Sequence, residues 1–296
     1  TGTWLFDCAS SRWRALAAGV EPPPRMSTRL VCDTKNQVMV MFGGDGQSRY
    51  LADTWIYDMR TRRWRQSGGE GSPPARAGHF AVYDRGTGWV IIGGGYNRRD
   101  LTDMWAYDAA VDHWMKLKGE VPTGWHIAAD LMPSESLIVL ATADKSRGDR
   151  MSCNEIYPVR TTWAFKVRRE GLPDETVRPQ RQQDMLKRSI EEAAGGTKPD
   201  AERARMQADR IGRMPVNRWV PFDGPGRPGV LRTWGSCSFD THRGRIVYWG
   251  GGHCGYGGSD YDLYDVGQNT WIASPVVAEY PERAWDRGIN AAGVTF

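Results

Sequence analysis

The chain has 296 residues, room for one large domain or two modest ones, and its 40% hydrophobic, 11% aromatic and 25% charged content is globular rather than disordered. A formal net charge of +4 with both signs interspersed argues against nucleic acid or an anionic membrane as partner, and no apolar run approaches the roughly 20 residues of a membrane helix. Five cysteines without CxxC spacing exclude a zinc ribbon and a c-type haem site.

The first element is "TWLFDCASSRW" (3–13), in which Phe6 precedes Trp13 by seven residues. The same interval closes three longer, mutually similar stretches. They are "VMVMFGGDGQSRYLADTWIYDMRTRRW" (38–64), "WVIIGGGYNRRDLTDMWAYDAAVDHW" (89–114) and "RIVYWGGGHCGYGGSDYDLYDVGQNTW" (245–271). Each opens on a short run of β-formers that ends in glycines, which permit positive φ and close backbone approach. A loop, an aromatic strand, a polar turn and a strand around the tryptophan follow. With a strand such as "RAGHFAVYD" (76–84) in front, each copy is a four-stranded sheet that must stack on its neighbours to bury both faces. A further copy is degenerate: "SLIVLATADK" has Ala141–Thr142 in place of the glycines, and Trp163 and Phe165 keep its third strand.

The apolar run, the diglycine and the spaced aromatic–Trp pair resemble the Kelch repeat. The resemblance implies an all-β fold, a Kelch-type β-propeller with one α-helical insertion. Inner strands are expected near 26–33, 77–84, 124–131, 231–240 and 287–296, about five blades' worth. The chain is expected to begin on a third strand and end on an inner one, so joining its ends would leave a blade without its second strand and with exposed edges, and the remainder of a longer propeller is expected at both ends. The expected division is blades over 1–167, a helical insertion over 168–215 between the third and fourth strands of one blade, and blades again over 216–296. In the insertion, "KPDAERARMQADRIGRMP" spaces Ala201, Ala204, Ala208 and Ile211 for a helix, and "QDMLKRSIEEAAGG" gives a shorter one. It is either a packed excursion or a docking element, and strand direction puts it at the end of the blades away from the candidate site.

Antiparallel strands bring the loops between second and third strands to one end, together with the starts of the inner strands. That mouth receives Asp45, Gln47, Arg49, Tyr96, Asn97 and Arg98. Candidate ligand-binding residues there are Arg76, His79, His126, Arg232, His253, Tyr256, Asp260 and Arg287. Arg25, Arg76, Arg232 and Arg287 each stand near the start of an inner strand, so they either ring the mouth for carboxylates or pair with loop aspartates as struts. The extra glycines of "HCGYGGSD" (253–260) point to a shaped loop, with His253 and Tyr256 either lining a depression or serving the backbone and the next blade. His79, His126 and His253 come from separate blades, but nothing has ligand spacing within a loop, so no metal and no cofactor is assigned. Ser236 lies in a strand rather than on a nucleophile elbow, and "GGGHCGYGG" leads into a strand, so it is no phosphate loop. Cys153 and Cys254 fall in matching loops of adjacent blades and form either a disulfide, which would place the chain outside the cell or in a periplasm, or two buried thiols. The expected function is binding of a protein or an acidic glycan at the mouth. An enzyme acting on an acidic carbohydrate is the alternative and a metal-dependent oxidase the third reading, and whether the chain is an enzyme stays open.

Overall fold

The computed structural model describes residues 2–16, 19–69, 71–122, 127–143, 159–168, 200–222, 224, 236–249 and 261–272. Four antiparallel four-stranded sheets succeed one another along the chain, preceded by a strand pair, β1 (Thr3–Asp7) and β2 (Arg12–Leu16). Blade 1 is β3 (Leu30–Asp33), β4 (Val38–Asp45), β5 (Tyr50–Asp58) and β6 (Arg63–Gln66). Blade 2 is β7 (Phe80–Asp84), β8 (Trp89–Gly93), β9 (Asp103–Asp108) and β10 (His113–Glu120). Blade 3 is β11 (Ile127–Met132), β12 (Leu137–Ala143), β13 (Val159–Lys166) and β14 (Trp219–Phe222). Blade 4 is β15 (Ser236–Asp240), β16 (Arg245–Trp249), β17 (Tyr261–Asp265) and β18 (Thr270–Ile272). This is the β-propeller arrangement that the repeats imply. The strand expected over 287–296 lies outside the described residues.

The seven-residue aromatic interval is a register. Phe6 sits opposite Trp13, Tyr57 opposite Trp64, Tyr107 opposite Trp114, Phe165 opposite Trp219 and Tyr264 opposite Trp271. In four of these pairs a hairpin at the seven-residue spacing joins the two rings, and in blade 3 a long excursion lies between Phe165 and Trp219; the residue two before the tryptophan is left-handed in all five: Ser11, Arg62, Asp112, Asn217 and Asn269. The rings close the seams between blades. Val40, Phe42 and Ile56 of blade 1 pack on Ile92, Tyr107 and Trp114 of blade 2. Phe80, Ile91 and Met104 of blade 2 pack on Ile127, Leu140 and Phe165 of blade 3, and Val139 and Phe222 of blade 3 on Ile246 and Tyr264 of blade 4. Each large apolar side chain so buried contributes about 1.5–3 kcal/mol.

Helix α1 (Ala201–Gly212) enters the chain between β13 and β14. Asp200 caps it, accepting from the N–H groups of Glu202 and Arg203, and Glu202 complements the helix dipole. Of the spaced set, Ile211 is buried and Ala204 half-buried while Ala201 and Ala208 are exposed, and Gln207, one turn before Ile211, is buried. Two arginines also tie the helix to the blades. Arg203 donates to the carbonyl of Asn269 at 3.3 Å, and Arg210 donates to that of Pro221 at 2.6 Å while lying over the Phe222 ring. These contacts hold α1 at the hairpin end of blades 3 and 4. Among the described residues, no helix is long and apolar enough to cross a membrane.

Candidate functional site

At the other end of the blades, the second strands of blades 1 and 2 end in glycines with positive φ, Gly43 and Gly44 at 61° and 107° and Gly94 and Gly95 at 67° and 97°. A side chain at Gly43 would meet the carbonyl oxygen of Arg76 at 2.7 Å, because the chain entering blade 2 crosses there and its Arg76 carbonyl accepts from Gly44 N–H at 2.9 Å. The glycines therefore let two blades touch through backbone and send the loops 45–50 and 96–102 out at the mouth.

Under these loops lies a repeated strut. Arg25 forks onto Asp53 at 2.7 and 2.8 Å, and also donates to the carbonyls of Gly43 and Pro23. Arg76 makes the same set with Asp103, at 2.9 Å to each oxygen, and with Gly94 and Pro74. Trp55 and Trp105 each donate an indole N–H to the aspartate two residues earlier. Burial pushes Asp53 and Asp103 up, but the hydrogen bonds from arginine and tryptophan and the guanidinium charge outweigh it and hold both below the usual carboxylate range. Arg76 has no exposed surface. Its guanidinium belongs to the blade, so of the two alternatives for these arginines Arg25 and Arg76 take the strut.

His79 is also interior, at 2% exposure. Among the described residues neither ring nitrogen has a hydrogen-bond partner, and the ring stands edge-on to Phe42 at 5.8 Å. Burial, with Arg76 and Arg29 adding like charge, pushes it down to about 3, so it is a neutral seam residue rather than part of an exposed mouth. Among the described residues, no three His, Cys, Asp or Glu side chains are grouped to hold a metal. Cys8, Cys32 and Cys237 are free thiols. His126, Arg232, His253, Tyr256, Asp260, Arg287, Cys153 and Cys254 lie outside the described residues.

The mouth of blades 1 and 2 presents Tyr50 and Tyr96, one from each loop, in edge-to-face contact with centroids 5.9 Å apart. Arg98 lies close enough to Tyr50 to act on its hydroxyl electrostatically. Beside Tyr50 opens a depression of about 500 Å³, walled by Pro23, Pro24 and Leu51, with Arg49, Asp53 and Gln66 on its polar side. Arg49 and Arg98 are exposed, and neither forms an ion pair among the described residues. The arrangement offers an apolar wall, an aromatic pair and two solvated guanidiniums, which is recognition chemistry; among the described residues no nucleophile–base pair accompanies it. The loops were legible in the repeat. Tyr50 was not, although it directly follows Arg49 at the start of β5.

The family model for the KLHDC2/KLHL20/DRC7 Kelch-repeats domain matches residues 1–170. No curated protein matches the chain.

Proposed function

The chain belongs to the Kelch-repeat family, whose propellers are protein-interaction modules, and we propose that this one binds a protein segment at the mouth-side loops of blades 1 and 2. The observation that carries this reading is the Tyr50–Tyr96 pair, which spans the seam between two blades beside a depression of about 500 Å³. Tyrosine gives large, rigid, amphipathic contact area at low entropic cost, and Arg49 and Arg98 add forked charge to its rim. A segment with a small apolar side chain for the Pro23–Pro24 wall and a carboxylate for an arginine fits this surface.

The test is affinity capture from the native source with the wild-type chain and with Tyr50→Ala and Arg49→Glu/Arg98→Glu variants. Partners retained by the wild type and lost by both variants are expected. Recovery of the same partners with both variants would overturn the reading. Captured partners released by acidic oligosaccharide would reassign the loops to glycans.

A further inference from the structure

The hairpin residue two before each outer-strand tryptophan is left-handed, a conformation in which asparagine and aspartate are enriched. Four of the five positions hold Ser11, Asp112, Asn217 and Asn269, and the fifth holds Arg62. The polar side chains have work to do. Asp112 accepts from the Tyr107 hydroxyl of its own blade and from the Ser67 hydroxyl of blade 1, and pairs with Arg65 of blade 1 at 3.0 Å. In blade 4, Asn269 accepts from the Tyr264 hydroxyl in the same way.

Blade 1 sits on the β1–β2 pair as blade 2 sits on blade 1. Trp64 Nε1 donates to Thr3 Oγ1 at 2.7 Å, as Trp114 Nε1 donates to Thr54 Oγ1 at 2.9 Å. Arg65 follows Trp64, so its counterpart in the first seam is Arg14, which follows Trp13; the counterpart of Asp112 is Arg62. Where the second seam has arginine and carboxylate, the register gives the first an arginine at both places. Tyr57, the counterpart of Tyr107, stacks on Trp64 at 5.2 Å, and its hydroxyl makes no hydrogen bond among the described residues. Arg12, Arg60 and Arg63 are exposed around this place. The nearby carboxylates serve their own turns, Asp7 accepting from Ser10 N–H and Asp58 from the N–H groups of Arg60 and Thr61; both are also near an arginine, Asp7 close enough to Arg14 to feel its charge and Asp58 4.0 Å from Arg60.

We propose that the seam between the β1–β2 hairpin and blade 1 binds an acidic segment of a protein partner, one aspartate or glutamate seating its carboxylate among Arg14, Arg62 and Tyr57 as Asp112 is seated among Arg65, Ser67 and Tyr107. The two seams share one backbone plan; the first has Arg62 in place of the acid and Leu16 in place of Ser67, and keeps the arginine and the tyrosine. Its donor set, two guanidiniums and a tyrosine hydroxyl, suits a carboxylate. The mixed signs on the rest of the surface give no track for a nucleic-acid backbone. The site is on the hairpin end of the blades and is independent of the mouth.

The test is fluorescence anisotropy of a labelled hexa-aspartate peptide with the full chain, at about 50 mM salt where surface charge is little screened. Arg62→Asp supplies the repeat's own acid and fills the slot from within. Arg205→Glu makes the same change of net charge on the exposed face of α1. The wild type is expected to bind, Arg62→Asp to weaken binding about tenfold or more without lowering the melting temperature, and Arg205→Glu to stay within about twofold, since screening localises the effect to one site. Three results would overturn the proposal: no binding by the wild type, equal binding by Arg62→Asp, or equal losses in both variants, which would report net charge alone. Displacement of the peptide by submillimolar inorganic phosphate would also overturn it, in favour of a phosphate site.

Discussion

Trp114 of blade 2 donates its indole N–H to the hydroxyl of Thr54 in blade 1, 2.9 Å away and fully interior. The bond recurs at every described seam: Trp64 to Thr3 at 2.7 Å, Trp271 to Thr162 at 2.9 Å, and Trp219 to the sulfur of Met104 at 3.3 Å. Each acceptor stands one residue before the aromatic of its own third strand, or Trp163 in blade 3. Propeller seams are mostly apolar and therefore tolerant of sliding. A directional bond at each one fixes how far a blade is rotated on its neighbour.

Thr54→Val removes that acceptor at nearly constant volume. The Trp114 N–H is then buried without a partner, which costs about 1–3 kcal/mol. Urea unfolding is expected to show this loss for Thr54→Val and to show little for Thr54→Ser, which keeps the oxygen. Equal stability of Thr54→Val and wild type would mean that the seam is held by packing alone.

The Arg76–Asp103 strut makes a larger prediction. Arg76→Met leaves Asp103 beside Trp105 without its counter-charge, and breaking such a buried pair costs about 3–5 kcal/mol. The strut also has a pH signature. Asp103 has a carboxyl lowered in the fold, so the native state holds fewer protons than the unfolded chain. Its contribution is complete above the ordinary carboxylate pKa of about 4 and is lost as pH falls below it toward the lowered native value. Without the guanidinium the Asp103 carboxyl is no longer held low, so the loss of stability between about pH 5 and 3 is expected to be shallower in Arg76→Met than in the wild type.

The struts show what the sequence held and what it concealed. Arg25 and Asp53 are 28 residues apart, Arg76 and Asp103 27, and each aspartate is two before a tryptophan. That repeated spacing marks the arginines as internal, and it outranks their position at the mouth. The propeller was legible because turns, glycines and aromatics recur at fixed intervals. The side on which α1 packs was legible only in part: Ala204 and Ile211 mark it, but Arg203 and Arg210 also hold it by bonding to carbonyls, which spacing does not show. The Arg14–Arg62 seam is visible only once the register aligns the hairpins on their tryptophans. Composition alone spreads those arginines over an evenly charged surface.

Gly43→Ala places a methyl group 2.7 Å from the Arg76 carbonyl in a residue at φ 61°. The neighbouring atom is backbone and cannot swing away. Left-handed strain alone is roughly 1–2 kcal/mol, and the clash adds to it. Gly68→Ala is the control, since no atom lies within 4 Å of its added carbon and its φ is not positive. Thermal unfolding is expected to fall by several degrees for Gly43→Ala and to hold or rise slightly for Gly68→Ala. Similar melting of the two variants would show that the blades do not meet at this glycine.

His79→Phe is expected to change the pH dependence more than the stability at neutral pH. The imidazole lies between Phe42 and the Arg76 strut with both nitrogens unpartnered among the described residues, and phenylalanine fills a similar volume without a polar group to desolvate. At pH 8 the variant should therefore be as stable as the wild type or more so. Below neutrality the two should diverge. His79 is pushed down to about 3 in the fold from an ordinary 6.5, so the unfolded chain takes up a proton that the native state refuses. Its effect on stability is absent above about 6.5 and grows as pH falls toward 3, by up to about 1.4 kcal/mol per pH unit. The difference in unfolding free energy between His79→Phe and wild type, measured by urea titration from pH 8 to 4.5, should widen steadily below 6.5. Parallel curves would place a proton-accepting partner against the ring and remove His79 from the apolar seam.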